Sequence, residues 1–123
     1  VRIITPGIPD KPLIYKVTRS YYAGLAAEGV RIYEYTPGFI HSKQMVCDDV
    51  AAVVGTINLD FRSLYLHFEN ACWFAGCRAV AEVRHDFEKM FPICREVTEK
   101  YSQKRSLTLR GLECILRMFS PLM

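Results

Sequence analysis

The sequence lacks the features that would place it in several common classes of protein. No run of residues approaches the roughly 20 apolar positions that a membrane-spanning helix needs, and no signal peptide is visible. The five cysteines form no CxxC pair and do not lie at metal-ligand spacing with the three histidines. Neither a metal site nor a disulfide framework is therefore predicted, and the odd number of cysteines favours a reducing compartment. The chain also contains no internal repeat and no low-complexity segment.

A strong excess of one charge is missing as well. The net charge of +3 permits contact with an anionic partner but does not indicate a nucleic-acid binder. Half of the residues are hydrophobic and 24% are charged, which argues against a disordered chain. The length of 123 residues suits one domain or a piece of one. We therefore predict a single domain over residues 1–123, with no linker that would divide it.

Strand and helix patterns alternate at the start of the chain. Val1–Thr5 is apolar and β-branched, and Val30–Tyr35 alternates between apolar and polar residues, so both are predicted strands. Between them, Asp10 is placed to cap a helix that ends at Gly29. Strand, helix and strand with short links predict a parallel βαβ unit within an α/β fold. Because Val1 is not Met and already lies in a predicted strand, we expect an N-terminally truncated fragment whose start lies upstream.

The middle of the chain predicts further strands, and the last part predicts helices. Cys47-Asp48-Asp49 is a plausible tight hairpin between two of those strands. The predicted strands are Ile40–Val46, Val50–Val54 and Leu66–Phe74, and the predicted helices run from Cys77 to Pro92 and from Leu107 to Phe119.

His41 and Lys43 stand two residues apart in the first of these strands. On a strand, that spacing puts both side chains on one face. A lysine can neutralise a phosphate oxygen while an imidazole attacks or transfers a proton, so the pair fits a phosphate site. Taken alone the pattern is weak, because a histidine on a strand is more often a structural residue.

A second group of polar residues follows the next strand. Gly55 allows a sharp turn or a close approach of the backbone to a ligand, and Thr56 and Asn58 offer hydrogen bonds that a phosphate can accept. The alternative is an ordinary turn. Glu69 lies in a predicted apolar strand, where an unpaired carboxylate would be costly, so it is a candidate to orient the imidazole of His41. A salt bridge to Arg62 or a solvent-facing position is the alternative for Glu69.

The pattern His41-x-Lys43-x4-Asp48-x6-Gly55-Thr56-x-Asn58 resembles the HKD motif of the phospholipase D superfamily. The flanking segments resemble the C-terminal half of bacterial cardiolipin synthases, and the likeness runs over nearly the whole chain. They are Ile3–Asp10, Tyr33–Phe39, Asn58–Ser63 and Ser120–Met123. The resemblance implies one phospholipase D-like half-domain, an α/β fold with a mixed, mostly parallel sheet flanked by helices.

The resemblance also implies candidate catalytic residues. His41 matches the residue that acts as nucleophile, forming a phosphohistidine, or as general acid for the leaving alcohol. Lys43 matches a phosphate ligand of the same motif, and Glu69 matches the acidic residue that orients the histidine. Asp48 matches the aspartate of the motif, whose role in the family is more structural than chemical.

Further matches concern the phosphate and the segment after it. Asn58 corresponds to a phosphate ligand and Thr56 to a hydroxyl that supports the site, so both join Lys43 as candidate phosphate-binding residues. Asp60, Arg62 and Ser63 match a signature of the lipid synthases to which no role is assigned. The resemblance implies no metal and no cofactor.

One departure from the family concerns the number of motifs. The superfamily site needs two HKD motifs, whereas His67 and His85 have no lysine two residues later and cannot supply the second. The implied partners are therefore an N-terminal HKD half of the same protein or a second copy as a homodimer, together with phosphatidylglycerol or another anionic phospholipid. Nucleic acid is not expected. The implied place of action is the bacterial cytoplasmic membrane on its cytoplasmic side, with this segment itself soluble.

Three functions remain open from the sequence. The favoured one is a phosphatidyltransferase that makes cardiolipin from two phosphatidylglycerol molecules and releases glycerol, with the isolated fragment inactive. The second is a homodimeric phospholipase D-like phosphodiesterase or nuclease. The third is a non-catalytic interaction module in which the stripe Leu107–Phe119, with its arginines, lies on an anionic membrane surface. For that stripe a core helix is the preferred interpretation.

Overall fold

The computed structural model describes residues 1–103, 106–118 and 120–122. Two units form within it, one from residues 1–40 and 93–123 and the other from His41–Pro92, and each is described by itself. In chain order the elements are β1 (Arg2–Pro6), α1 (Pro12–Ser20), α2 (Tyr22–Ala27), β2 (Arg31–Tyr35), β3 (Lys43–Cys47), β4 (Ala51–Gly55), α3 (Phe61–Tyr65), β5 (Ala71–Ala75), α4 (Arg78–Met90), β6 (Cys94–Glu96), α5 (Thr98–Ser102) and α6 (Leu107–Met118). The single domain expected over the chain stays a prediction.

The first unit is built on the predicted βαβ crossover. Strands β1 and β2 pair in parallel, and β6 adds to the other edge of β2 in the antiparallel sense. The expected helix is divided into α1 and α2 at Tyr21, and Gly29 ends the segment with a φ of +78°. Asp10 does not cap the helix as expected, since the N-cap residue is Lys11 and no side chain bonds there.

A small apolar cluster holds this unit together. Tyr22, Ile32, Val97 and Tyr101 are buried, and the rings of Tyr22 and Tyr101 meet edge to face with centroids 5.0 Å apart. The Tyr22 hydroxyl shares a hydrogen bond of 2.7 Å with Thr5 on β1. The cluster therefore fastens α2 and α5 to the β1–β2 pair.

The fully buried carboxylate of Glu34 lies near the C-terminal end of β2. Arg19 on α1 and Arg95 on β6 each approach one of its oxygens at 2.6 Å. A buried carboxylate is tolerated only when its oxygens are paired, and here both are. This triad links a helix and two strands of the first unit.

The second unit is an antiparallel sheet covered by α4. Strands β3, β4 and β5 follow one another as neighbours, and α4 contacts all three. Ala52 and Val80 are the most deeply buried apolar side chains of this unit. The hairpin at Cys47–Val50 is confirmed, and both central residues, Asp48 and Asp49, have positive φ values of 49° and 55°. Left-handed residues suit the right-handed twist of a tight hairpin, and aspartate tolerates them.

The α/β class is confirmed, but the mostly parallel sheet is wrong. Among the described residues one strand pairing is parallel and three are antiparallel, distributed over two three-stranded sheets. A tight hairpin joins β3 to β4 and makes that pair antiparallel, and β4 and β5 are antiparallel across the longer connection of residues 56–70. The additional strand β6 was not expected from the sequence.

The C-terminal helix is confirmed as α6, while the expected end at Phe119 lies outside the described residues. It contacts α1, and Arg117 donates hydrogen bonds to the carbonyl and hydroxyl oxygens of Ser20. Four apolar side chains of α6 are exposed: Leu109, Leu112, Ile115 and Met118. The membrane-surface role of this helix stays a prediction. No helix among the described residues has both the length and the apolar character to cross a membrane.

Candidate active site

One end of the β3–β4–β5 sheet collects most of the polar residues that the sequence singled out. Lys43 begins β3 and pairs with Gly55, which ends β4 and pairs in turn with Ala71 at the start of β5. His41, Thr56 and Glu69 lie on the chain segments that enter or leave the sheet beside these paired residues. The antiparallel register therefore brings positions far apart in sequence to one sheet end.

His41 lies just outside the sheet rather than on it. The predicted strand from Ile40 is wrong in its start, because β3 begins at Lys43, where the pairing with β4 ends at Gly55. The shared strand face of His41 and Lys43 is therefore not formed. Instead the Lys43 ammonium donates a hydrogen bond of 2.7 Å to the backbone carbonyl of His41, so the two residues are linked locally.

Gly55 is required by the close approach of the next strand. A Cβ atom at this position would lie 2.4 Å from the carbonyl oxygen of Asn70 and 2.6 Å from the Cα of Ala71. Both are backbone atoms, which cannot move aside as a flexible side chain does. The close approach at Gly55 is thus to the backbone of the neighbouring strand, and it draws the chain before β5 against the chain after β4. The expected approach of Gly55 to a ligand stays a prediction.

Thr56 and Glu69 meet across this approach. The Thr56 hydroxyl donates a hydrogen bond of 2.5 Å to the Glu69 carboxylate and accepts one of 3.0 Å from the backbone N–H of Asn70. The backbone N–H of Thr56 donates to the carbonyl of Asn70 at 2.9 Å. Glu69 does not lie within an apolar strand as expected, since β5 begins only at Ala71. Its carboxylate is held by hydrogen bonds rather than by burial in the sheet.

The segment from Leu66 to Asn70 is irregular because it closes the preceding helix. The backbone N–H groups of Leu66 and His67 both donate to the carbonyl of Arg62 at 2.9 Å, which ends α3. Phe68 is fully exposed, so the apolar residues that suggested a strand are not packed in a sheet. The apolar composition of Leu66–Asn70 therefore wrongly predicted that this segment pairs with a neighbouring strand.

The electrostatic surroundings keep Glu69 ionised. Hydrogen bonds from Thr56 and then from Ser63 lower the pKa of the Glu69 carboxyl, and His67 and Lys43 lower it further through their charges. The Nδ1 atom of His67 lies 3.9 Å from one carboxylate oxygen. Sequence reasoning set His67 aside, although its position two residues before Glu69 was a signal for proximity. The expected pairing of Glu69 with the imidazole of His41 stays a prediction.

Asn58 reaches the same cluster through α3. Its side-chain amide donates a hydrogen bond of 3.2 Å to the hydroxyl of Ser63. Asp60 caps α3 by accepting 2.7 Å from the backbone N–H of Ser63. The signature residues Asp60, Arg62 and Ser63, which had no assigned role, therefore build the short helix beside the site.

Asp48 lies at the opposite end of the sheet. It occupies the hairpin after β3, five residues beyond Lys43, which is about 16 Å along an extended strand. Its carboxylate accepts a hydrogen bond of 3.4 Å from the thiol of Cys47. The sheet does not bring Asp48 to the cluster around Lys43, Thr56 and Glu69, and its part in catalysis stays a prediction.

The cluster has the chemistry for an anionic phosphate ester. It combines an ammonium group, an amide, an imidazole on the adjoining segment and a carboxylate kept charged by hydrogen bonds. Such groups can neutralise phosphate oxygens and transfer protons. In the part of the chain that the structure describes, no three His, Cys, Asp or Glu side chains are grouped so as to hold a metal ion.

Comparison with known proteins places this fold and cluster in a family. The model of a family described as the phospholipase D-like domain of cardiolipin synthase matches residues 1–91. A cardiolipin synthase of Geobacillus sp. is 40% identical over 127 residues, covering all of this chain and 24% of the relative. Cardiolipin synthase 1 of Bacillus cereus is 37% identical over 123 residues, with the same coverage. An uncharacterized protein of Streptococcus mutans is 41% identical and is covered over 27% of its length.

The chain belongs to the family of phospholipase D-like domains of cardiolipin synthases. The resemblance seen in the sequence is thereby confirmed. The chain spans about a quarter of the length of the curated relatives that it matches. No solved structure matches it.

Proposed function

We propose that this chain supplies one half of the active site of a phosphatidyltransferase that makes cardiolipin from two phosphatidylglycerol molecules and releases glycerol. The observation that carries the proposal is the meeting of Lys43, Thr56 and Glu69 at one sheet end, with His41 on the adjoining segment. Membership of the cardiolipin synthase family supports the class of reaction.

The reaction runs as two displacements at phosphorus. In the first, a histidine nitrogen attacks the phosphorus of one phosphatidylglycerol, the P–O bond to its glycerol headgroup breaks, and the leaving oxygen takes a proton from a second histidine. In the second, a hydroxyl of another phosphatidylglycerol gives its proton to that second histidine and attacks the phosphohistidine, which frees the first. Covalent catalysis of this kind predicts ping-pong kinetics. His41 fills one of the two roles.

The phosphate is held by Lys43 and Asn58. The ammonium group of Lys43 neutralises the anionic oxygen as the attacking and leaving groups pass. The amide nitrogen of Asn58 carries two N–H donors; one reaches Ser63, and we assign the other to the phosphate. Thr56 donates its single hydroxyl hydrogen to Glu69, so its role is to hold that carboxylate rather than to donate to phosphate.

Glu69 and Asp48 take different parts in the proposal. Glu69, held ionised, accepts the N–H of the His41 imidazole and stabilises the imidazolium. Asp48 shapes the hairpin at the other end of the sheet and takes no chemical step.

The half-site requires a second histidine in an HKD motif. That motif comes from an N-terminal half of the complete protein or from a second copy of the chain, and the substrate is an anionic phospholipid presented at the cytoplasmic membrane. The alternative of a homodimeric phosphodiesterase rests on the single motif in this chain. Hydrolysis and transfer differ in whether water or a glycerol hydroxyl attacks the phosphohistidine.

The test uses the complete protein that carries this chain and vesicles of phosphatidylglycerol. The expected products are cardiolipin and glycerol in equal amounts, abolished by His41→Ala and retained by the matched variant His85→Ala on α4. Activity that survives His41→Ala would contradict the assignment. Phosphatidic acid formed without cardiolipin would show that water attacks the phosphohistidine, so the proposed activity would be hydrolysis rather than transfer.

A further inference from the structure

Ser63 occupies a position between two candidate site residues. It is only 7% exposed, although it belongs to the five-residue helix α3 whose other side chains face solvent. Its hydroxyl accepts the amide N–H of Asn58 at 3.2 Å, and the same hydroxyl helps to lower the pKa of the Glu69 carboxyl. The hydroxyl therefore holds the amide side chain directly and acts electrostatically on the carboxylate.

The backbone holds this hydroxyl in place independently of the bonds it makes. Asp60 caps α3 through the backbone N–H of Ser63 at 2.7 Å. The N–H of Leu64 donates to the carbonyl of Asp60 at 3.1 Å, which completes the turn. Removal of the hydroxyl alone therefore leaves the cap and the helix intact.

We propose that Ser63 is a positioning residue. It holds the amide of Asn58, the phosphate ligand, at a fixed position relative to the carboxylate of Glu69, which orients the histidine. This inference rests on the proposed function of the cluster. Glu69 accepts a hydrogen bond from Thr56 at the end of β4, and Ser63 on α3 lowers the pKa of the same carboxyl. Without Ser63, the Asn58 amide loses its acceptor and Glu69 keeps only the Thr56 side of its support.

The test compares Ser63→Ala and Ser63→Thr with Ser102→Ala in the complete protein. Ser102 is an exposed serine on α5 whose hydroxyl donates to its own helix carbonyl at Thr98, so it is a matched control. With phosphatidylglycerol vesicles, Ser63→Ala should lower kcat by about ten- to a hundredfold, by analogy with the loss of residues that orient the ligands of metal sites. KM should change by a smaller factor than kcat because Lys43 still binds the phosphate when Asn58 is misplaced. Ser63→Thr, which keeps the hydroxyl, should restore kcat.

A second readout does not depend on activity. The carboxyl ¹³C resonance of Glu69, assigned by its loss in Glu69→Gln, reports the titration of this group. Because the Ser63 hydroxyl lowers the pKa of Glu69, the midpoint should move to higher pH in Ser63→Ala and stay in place in Ser102→Ala.

The two readouts separate this inference from the proposed function. Wild-type protein that forms no cardiolipin would overturn the proposed function, and the role of Ser63 would then be decided by the Glu69 midpoint alone. An unmoved midpoint in Ser63→Ala overturns the inference. Unchanged kcat in Ser63→Ala, or a folded Ser63→Thr protein without restored kcat, overturns it as well.

Discussion

Replacing Gly55 by alanine should open the sheet end on which the candidate site depends. The added Cβ would lie 2.4 Å from the Asn70 carbonyl oxygen and 2.6 Å from the Ala71 Cα, where ordinary contacts are 3.4 Å or more. The strands must separate by about 1 Å, and overpacking of this kind costs about 1–3 kcal/mol. The hydrogen bond from the Thr56 N–H to Asn70 crosses the same gap and should weaken with it.

Amide hydrogen exchange at Thr56 measures this effect directly. A loss of about 1–3 kcal/mol should speed exchange of that amide by about 5- to 150-fold. Gly24→Ala is the matched control, because Gly24 lies in α2 with no atom within 4 Å of the added Cβ. That change should stabilise the helix by up to about 1 kcal/mol and leave Thr56 exchange unchanged. Wild-type exchange of Thr56 in Gly55→Ala would refute the close-approach argument.

Other predictions concern the remaining charged residues. Arg31 and Thr98 hold the pKa of Glu96 at about 2, below its usual value near 4.3, so its stabilising effect should be full above pH 4.3 and lost as pH falls toward 2. The difference in unfolding free energy between wild type and Glu96→Gln should shrink over that range, and a constant difference would contradict it. Asp48→Asn should preserve stability and transfer activity, whereas Asp48→Val should cost about 1–2 kcal/mol of stability in the left-handed turn. Glu34→Gln should cost about 3 kcal/mol of unfolding free energy, near the lower end for buried pairs because its arginines remain partly in water.

The sequence predicted the local elements better than their edges. The βαβ crossover followed from two strand patterns around a helix that ends at Gly29, and the hairpin followed from Asp48 and Asp49. Both are local, since backbone preference and short connections decide them. The candidate site residues could also be predicted from the sequence, because Lys43 and Thr56 are recognised by residue type and not by the exact ends of the strands.

Pairing between strands could not be predicted in the same way. The predicted strand began at Ile40, but β3 starts at Lys43, where its partner β4 ends at Gly55. Apolar residues ahead of β5 suggested a strand that contained Glu69, whereas the chain there closes α3 instead. A single strand pattern carries no information on where its neighbour stops. For the same reason the mostly parallel sheet was wrong.

The proposed role of Ser63 rests on contacts that could not be predicted from the spacing of residues in the sequence. Asn58 and Ser63 are five residues apart, and Glu69 follows six residues later. The turn of α3, capped by Asp60, brings the three polar groups together. Sequence inspection saw a signature there without a function.

Binding of a phosphodiester to the Lys43 end of the sheet tests the central claim most directly. Calorimetric titration of the complete protein with a short-chain phosphatidylglycerol should show binding that is weakened at least about tenfold by Lys43→Met, since a charge-assisted hydrogen bond contributes about 1.5–3 kcal/mol. Lys89→Met, on the exposed surface of α4, should bind as wild type does. Equal affinity of Lys43→Met and wild type, or an equal loss in Lys89→Met, would contradict the phosphate site.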